Sequence, residues 1–321
     1  MKRVIHAIAF LAIAVGCGLP AEVSAAYPDR TVTIVVPFPP GGRTDLTSRI
    51  VGQNLEKHLG VAAAVVNRPG AGGVRGAKEV AAAKPDGYTL GIFSSAVVSA
   101  QYTVETPTNL ADYKAIGLIE ISPAALAVGA NAPWKTLRDL VTYAKQNPKK
   151  IRMGMIPGAS AQVFAGGFAD AAGVELTMVP YKGDAPGVIA LAGGHIETHV
   201  AVPASYKALI EGGKIRMLGV AAGKRLSLYP DVPTFKEQGV NLEIGSFHIL
   251  FAPVNTPNDV IENLAARFEK AMHDPDMKEQ LTKANLEWAY RNRADTATFL
   301  AGQDAAYKSL IQKLDLMYKK K

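Results

Sequence analysis

Residues 35–45, VVPFPPGGRTD, form the stretch that decides the fold. The β-branched run 31–36 predicts a strand, and apolar residues at helical spacing predict a helix over 46–59. Between them prolines stiffen the turn, while Gly41 and Gly42 let the backbone pass close to whatever lies above the helix. Free backbone N–H groups and the positive end of the helix dipole would form an anion site there, although a turn without a ligand fits the same pattern.

Strand and helix patterns alternate along the rest of the chain, which is typical of an α/β fold with parallel strands. The pattern predicts further strands at 61–66, 88–93, 151–155, 176–179, 196–200, 215–220 and 244–252. It predicts further helices at 74–83, 134–146, 161–171, 185–192, 257–273, 275–284 and 296–318. We expect two lobes with a cleft between them: 27–124 begins lobe 1, 125–246 forms lobe 2, and 247–321 returns to lobe 1.

Residues 1–26 have the pattern of a secretory signal peptide. Lys2 and Arg3 precede an apolar run at 4–15, and small residues precede Tyr27. Residues 14–17, AVGC, approximate a lipoprotein cleavage box, so anchoring at Cys17 is an alternative. No later stretch reaches the roughly 18 unbroken apolar residues of a transmembrane helix. The sequence therefore predicts export without a spanning segment.

The composition of the 321-residue chain is that of a globular protein, with 48% hydrophobic and 20% charged residues. One cysteine excludes an internal disulfide and an all-cysteine metal site. The net charge of +7 favours anionic partners. Because no basic stretch interleaved with aromatic residues accompanies it, we expect no nucleic-acid partner.

A second strand–turn–helix segment lies about 115 residues after the first. Strand 151–155 leads into the turn 157–160, PGAS, and a helix follows. Each lobe would then offer one helix N-terminus to the cleft. Two such ends can hold the two sides of one carboxylate while the lobes close.

Four motifs carry a family resemblance. Residues 27–42 (YPDRTVTIVVPFPPGG), 67–73 (NRPGAGG), 84–88 (KPDGY) and 179–183 (VPYKG) closely resemble the Bug family of extracytoplasmic solute receptors, the substrate-binding components of tripartite tricarboxylate transporters. The resemblance runs from Tyr27 to the final helix. It implies a two-lobed, type II-like periplasmic binding-protein fold with a carboxylate between the lobes. We therefore expect a periplasmic monomer without cofactor or metal that delivers its ligand to membrane transporter subunits.

The resemblance also implies the residues that hold the ligand, mostly through backbone groups and waters. In the first lobe they are Phe38, Gly41, Gly42, Thr44 and Asp45, of which Asp45 is expected to complement the helix dipole rather than face an anion. In the second lobe they are Pro157, Gly158, Ser160, Gln162, Tyr181, Gly183 and Asp184.

Five other residues are candidates: Arg43, Phe247 and His248, where the sequence departs from the family pattern, and Ser94 and Ser95, which end the strand predicted at 88–93 and open its helix. Arg43 would either bind a second carboxylate or point to solvent. Phe38 and Phe247 facing each other would suit a flat ring, and a protonated His248 would favour an anion. These features make an aromatic mono- or dicarboxylate a candidate ligand without excluding an aliphatic one.

Other functions fit parts of the sequence. Ser160, Asp184 and His248 follow the chain order of a hydrolase triad, although Gln162 replaces the second glycine of that motif. A ligand-sensing adaptor would use the same fold as a transport receptor. Residues 67–76 lack the third glycine of a dinucleotide fingerprint. The alternation at 195–199, HIETH, would suit zinc, but an ordinary half-exposed strand is the preferred interpretation.

Overall fold

The computed structural model describes residues 27–156 and 160–319. The strands in this part of the chain are β1 (Val32–Val36), β2 (Ala63–Asn67), β3 (Thr89–Ser94), β4 (Tyr113–Pro123), β5 (Ala125–Gly129), β6 (Arg152–Met155), β7 (Thr177–Pro180), β8 (Thr198–Ala201), β9 (Ile215–Val220), β10 (Gly245–Pro253) and β11 (Glu287–Arg291). The helices are α1 (Arg43–Leu59), α2 (Val74–Ala81), α3 (Ser95–Thr103), α4 (Leu137–Gln146), α5 (Ser160–Ala172), α6 (Asp184–Ala192), α7 (Lys207–Glu211), α8 (Asn258–His273), α9 (Pro275–Lys283) and α10 (Arg293–Lys313). The predicted signal segment 1–26 lies outside the described residues.

The strands form two sheets, one for each lobe. The first has the order β11-β4-β10-β3-β1-β2 and the second β7-β6-β8-β5-β9. Strand β1 pairs in parallel with β2 and β3, whereas β10 is antiparallel to both β3 and β4. The chain crosses between the sheets twice, from β4 to β5 and from β9 to β10. This architecture confirms the predicted α/β, two-lobed fold.

Three strands of the described chain were not predicted. Strands β4 and β5 carry the first crossing between the sheets, separated by Ala124 alone. Both are almost entirely buried, so they show the near-continuous apolar run of a central strand rather than alternation. Strand β11 has five residues and lies at the sheet edge between two helices, where a short apolar run is easily taken for loop.

Helices cover both faces of the first sheet. Helices α1, α8 and α9 pack on one face around an apolar cluster that includes Leu55, Ile92 and Phe268. Helices α2, α3 and α10 pack on the opposite face, where Phe93 stacks on Phe251 with ring centroids 5.1 Å apart. The C-terminal helices therefore complete the first lobe. They hold β4 and β10, the strands that continue into the crossings, between two apolar layers.

The turn before α1 depends on two glycine conformations. Gly41 has a φ of +81°, a region that disfavours residues with a Cβ atom, and Gly42 caps the helix in an extended conformation. At the other end Gly60 has a φ of +77° and closes the helix, confirming the predicted stop. Helix α1 begins at Arg43, three residues before the predicted start, so the first turn of the helix belongs to the segment of the expected anion site.

Candidate ligand-binding site

One edge of the first sheet collects the polar residues. Because β1 and β3 are parallel and β10 is antiparallel to β3, the carboxyl ends of β1 and β3 meet the amino end of β10 at this edge. Helices α1 and α3 begin there, each with backbone N–H groups that no carbonyl of the same helix can accept. This is the edge at which open α/β sheets bind ligands.

The second lobe brings a third helix start to the same place. Ser160, the first residue of α5, has its hydroxyl oxygen 3.4 Å from that of Ser95, the first residue of α3. The Ser95 hydroxyl also donates to the Ser246 hydroxyl at 3.2 Å, and Arg43, the first residue of α1, donates to Ser246 from Nη2. The starts of α1, α3 and α5 are thus joined by hydroxyl groups.

Tyr307 closes this hydroxyl cluster from α10. Its side chain is fully buried, its hydroxyl donates to the carbonyl of Gly245 at 2.9 Å, and it interacts with the hydroxyls of Ser95 and Ser160. Burial raises the pKa of Tyr307 to about 12, so the phenol stays protonated at neutral pH. Tyr307 and Ser246 were not predicted as site residues. Ser246 lies next to the predicted Phe247, but nothing in the sequence pairs Tyr307 with residues some 150–210 positions earlier.

Glu120 is the central charged residue of the site, and its side chain is fully enclosed. Its Oε1 accepts from Arg43 Nη1 at 3.2 Å and from the Nδ1–H of His248 at 2.5 Å, while its Oε2 accepts from the Ser122 hydroxyl at 2.8 Å. Burial alone would raise the pKa of Glu120, but the Arg43 charge and these hydrogen bonds outweigh it and hold the pKa below its ordinary value. The carboxylate is therefore ionised, and it was not predicted from the sequence.

His248 lies behind the site rather than in its wall. The imidazole has no exposed surface, and its Nε2 lies 2.9 Å from the Thr44 hydroxyl. Burial lowers the pKa of His248, so the ring is neutral, with Nδ1–H donating to Glu120 and Nε2 accepting from Thr44. The expectation of a protonated imidazole facing the ligand is corrected on this point. His248 instead positions Thr44, because its Nε2 accepts a hydrogen bond from the Thr44 hydroxyl.

Phe247 does not face Phe38. Successive residues of β10 point to opposite faces, and Phe247 packs edge-to-face on Phe299 of α10 with ring centroids 5.2 Å apart. Phe38 lies beside Gly73, where an added Cβ atom would come within 3.0 Å of its ring. The two rings therefore form no flat slot. Phe38 lies on the loop before α1, whereas Phe247 packs against α10.

The first-lobe loop, residues 37–42, is held in one conformation by hydrogen bonds to Asp45 and Asn67. The Asp45 carboxylate accepts from the Gly41 backbone N–H at 2.9 Å, from Arg49 and from the Asn67 side chain, which also donates to the Phe38 carbonyl at 3.0 Å. Burial opposes ionisation, but these donors keep the pKa of Asp45 below its ordinary value. The expected structural role of Asp45 is confirmed. The loop presents a fixed backbone to the cleft.

A cavity of about 450 Å³ lies above this loop. Five of the first-lobe candidates line this cavity: Phe38, Gly41, Gly42, Arg43 and Thr44. Ser94 caps α3 by accepting from the Ala96 N–H at 3.4 Å, next to Ser95 in the hydroxyl cluster.

The second-lobe candidates are more scattered. Pro157 and Gly158 lie outside the described residues, and Ser160 and Gln162 lie in the first turn of α5. Tyr181 packs beside Gly154 and Gly187, and Asp184 Oδ2 accepts from the Ser205 hydroxyl at 2.7 Å. Asp184 is thus held within its own lobe, whereas the Ser160 hydroxyl contacts the hydroxyl cluster.

The hydrolase triad is not assembled. Both nitrogens of His248 are used by Glu120 and Thr44, Ser160 contacts Ser95, and Asp184 is bonded to Ser205. The alternative of a zinc site at residues 195–199 also finds no support. Within the described residues, no three His, Cys, Asp or Glu side chains come together as a metal site. Glu197 is held by Arg152 at 2.7 Å instead.

A second cavity of about 570 Å³ lies along the crossings, between residues 221–226 and strand β11 with α10. In sheet order β11 lies beyond β4 and β10 as seen from β1 and β3. Two contacts link the lobes beside it: Ser227 donates to Glu287 at 2.5 Å from its hydroxyl, and Asn285 donates to the Tyr229 hydroxyl at 2.9 Å. The residues that begin α1, α3 and α5 do not line this cavity, although Ser246 of the hydroxyl cluster does.

Two α/β lobes joined by two crossings, with helix starts from both lobes meeting at one cleft, define a solute-binding receptor of the periplasmic binding-protein class. None of the helices in residues 27–156 and 160–319 is both long enough and apolar enough to span a membrane. The family described as "Tripartite tricarboxylate transporter family receptor" matches residues 47–316. The chain belongs to this family.

Individual relatives agree with this assignment. A Cupriavidus necator protein, described as a UPF0065 protein in the gbd 5' region, is 35% identical over 93% of this chain and 92% of its own length. Protein BugT of Bordetella pertussis is 28% identical over 92% of this chain and 93% of its own length. The predicted Bug-family resemblance is confirmed.

Solved structures match across most of the fold. A TctC solute-binding protein from Polaromonas gives a TM-score of 0.82 at 31% identity, covering 89% of this chain and 99% of that one. An R. palustris protein determined with adipate gives a TM-score of 0.75 at 29% identity, covering 89% of this chain and 97% of that one. The family and the fold are those of receptors rather than enzymes.

Proposed function

We propose that this receptor captures an organic carboxylate between its lobes in the periplasm and delivers it to the membrane subunits of a tripartite tricarboxylate-type transporter. In this proposal the chain is exported by the signal segment 1–26, acts as a monomer and uses no cofactor. The lobes are 27–124 with 247–321, and 125–246. The adipate complex of the R. palustris relative supports a carboxylate as the ligand class.

The observation that carries the proposal is the meeting of three helix N-termini at one place. Ser95 and Ser160 join α3 to α5, and Arg43 joins α1 to the same hydroxyl cluster through Ser246. Unpaired N–H groups and the helix dipoles favour negative charge at such ends. A carboxylate has four lone-pair positions and suits donors that arrive from several directions.

The proposed ligand-contacting residues follow the geometry. They are Phe38, Gly41, Gly42, Arg43, Thr44, Ser94, Ser95, Ser160, Gln162 and Tyr181, with Pro157 and Gly158 proposed from the family resemblance. Phe247, His248 and Asp184 are proposed as supporting residues, because their polar or aromatic groups already have protein partners.

The available donors are sufficient for useful affinity. Hydrogen bonds to a charged group contribute about 1.5–3 kcal/mol each. Three or four of them, together with burial of the ligand's apolar part, reach the roughly −8 kcal/mol that corresponds to a micromolar dissociation constant.

Calorimetric titration of the purified protein against a panel of mono- and dicarboxylates, aliphatic and aromatic, tests the proposal. We expect at least one carboxylate to bind with a micromolar or lower dissociation constant, and the matching amide or alcohol not to bind. Uptake of that compound should be lost when the gene is deleted and restored by the wild-type copy. If uncharged analogues bind as well as the acids, the carboxylate proposal fails.

A further inference from the structure

We infer that Glu120 determines which ligand charge the cleft prefers. Because Glu120 balances the charge of Arg43, the cleft prefers a monocarboxylate to a dicarboxylate of the same carbon skeleton. The inference rests on the proposed carboxylate function and narrows its ligand class. It concerns Arg43, for which the sequence left open whether the guanidinium binds a second carboxylate.

The first step is that Arg43 already has an anionic partner. Arg43 is the charged residue among those lining the 450 Å³ cavity, and its side chain is 21% exposed. Its Nη1 lies 3.2 Å from Glu120 Oε1, and its Nη2 donates to Ser246. The positive charge at the cavity is therefore compensated from within the protein.

The second step is that Glu120 cannot release Arg43 to a ligand without loss. The carboxylate has no exposed surface, and its other donors are His248, which is neutral, and Ser122. If Arg43 turned to a second ligand carboxylate, Glu120 would remain buried with no cation beside it. Removing one partner of a buried ion pair is strongly unfavourable, because the remaining charge has neither water nor a counter-ion.

The third step concerns the ligand. One carboxylate at the helix starts is stabilised by backbone N–H groups and dipoles, which need no unpaired cation. A second carboxylate near Arg43 would be desolvated while facing a guanidinium whose charge Glu120 already balances. A ligand with one acidic group and a neutral remainder avoids this cost.

The test compares ligands that differ by one carboxylate, hexanoate with adipate and benzoate with terephthalate, by calorimetric titration. In the wild-type protein we expect the monocarboxylate of a pair to bind more tightly. In Glu120→Gln the amide keeps the shape and an acceptor for Arg43 and His248, but Arg43 keeps its full charge. The affinity for the dicarboxylate relative to the monocarboxylate should then rise about tenfold or more.

Two further variants complete the test. Glu197→Gln removes a carboxylate that Arg152 holds in the second lobe, and it should leave the ratio of affinities unchanged. The double variant Arg43→Gln/Glu120→Gln should lose the gain for dicarboxylates, because the uncompensated cation is gone.

The possible outcomes separate the inference from the function on which it rests. A wild-type protein that binds the dicarboxylate of a pair more tightly than the monocarboxylate overturns the inference, even if Glu120→Gln does not fold. An unchanged ratio in folded Glu120→Gln overturns it as well. If the wild-type protein binds no carboxylate of any kind, the proposed function itself has failed.

Discussion

The hydroxyl oxygens of Ser95 and Ser160 lie 3.4 Å apart, although the two residues begin helices in different lobes. This contact places the first turns of α3 and α5 side by side and marks the place where the lobes meet over the cleft. Its hydroxyls can bond to each other or turn to a bound anion.

Replacing Ser160 with Ala should weaken binding of the carboxylate. Loss of one hydrogen bond at a site that closes around a ligand costs about 0.5–1.5 kcal/mol, or up to about tenfold in affinity. Titration calorimetry measures the change. Thr298→Ala is the matched control, because the Thr298 hydroxyl bonds to the Ala294 carbonyl within α10 and is exposed. Equal effects of the two substitutions would contradict a role for Ser160 in the site.

Comparing Gly41→Ala with Gly60→Ala separates the effect of backbone strain on stability from its effect on ligand binding. Both have positive φ angles, +81° and +77°, and at both an added Cβ atom would meet no neighbour within 4 Å. Each substitution by Ala should therefore lower the free energy of unfolding by about 1 kcal/mol through the backbone alone. Only Gly41→Ala should also weaken ligand binding, because it distorts the loop that Asp45 holds. Chemical denaturation and calorimetry measure the two effects, and an equal loss of affinity in Gly60→Ala would count against this explanation.

His199 should make the protein less stable in mild acid. Its ring is buried, with Nδ1 3.2 Å from the Tyr206 hydroxyl and no partner for Nε2 among the described residues. Burial lowers the pKa of His199 to about 4, from the ordinary histidine value of about 6.5. Between these values the unfolded chain binds a proton that the folded protein does not. Stability is therefore fully present above pH 6.5 and is lost as the pH falls toward 4, by about 2 kcal/mol between pH 7 and pH 5.

The measurement is urea denaturation at pH 7 and pH 5 for the wild type and His199→Gln. The difference between the two free energies of unfolding should shrink in His199→Gln, whatever the substitution does to stability at pH 7. His195→Gln, at an exposed position four residues earlier in the chain, is the control and should keep the wild-type difference. The same difference in both variants would show that His199 does not bind the proton.

Export can be tested at the N-terminus. We expect the protein released from the periplasm by osmotic shock to begin at Tyr27, because small residues precede that position. Cys17→Ser should leave both the cleavage site and the release unchanged. If the wild type stays with the membrane and Cys17→Ser is released, the lipoprotein alternative is correct.

Much of the fold follows from local patterns in the sequence. The α1 helix and its Gly60 stop, the strand–turn–helix around Gly41 and the second-lobe helix that begins at Ser160 are all visible as short-range periodicity. Strand β4 was missed because it is buried on both faces, so its alternation, on which strand prediction relies, is absent.

The charged part of the site could not be predicted from the sequence, for a different reason. Glu120 and Arg43 are 77 positions apart, and Ser246 is 203 positions from Arg43. They meet because β4 pairs with β10, β10 with β3, and β3 with β1, the strand that leads into α1. An acidic residue within an apolar strand is a signal that a buried partner exists, but it does not identify the partner. Likewise, the sequence placed Phe247 and His248 at the right edge of the sheet without showing which face each would occupy.

A crystal structure of the protein with its tightest-binding carboxylate tests the central claim most directly. The account predicts a ligand carboxylate within hydrogen-bond distance of backbone N–H groups of residues 41–44 and of the Ser95 or Ser160 hydroxyl, with Arg43 still paired to Glu120. A ligand bound instead in the 570 Å³ cavity between residues 221–226 and strand β11 would contradict the account.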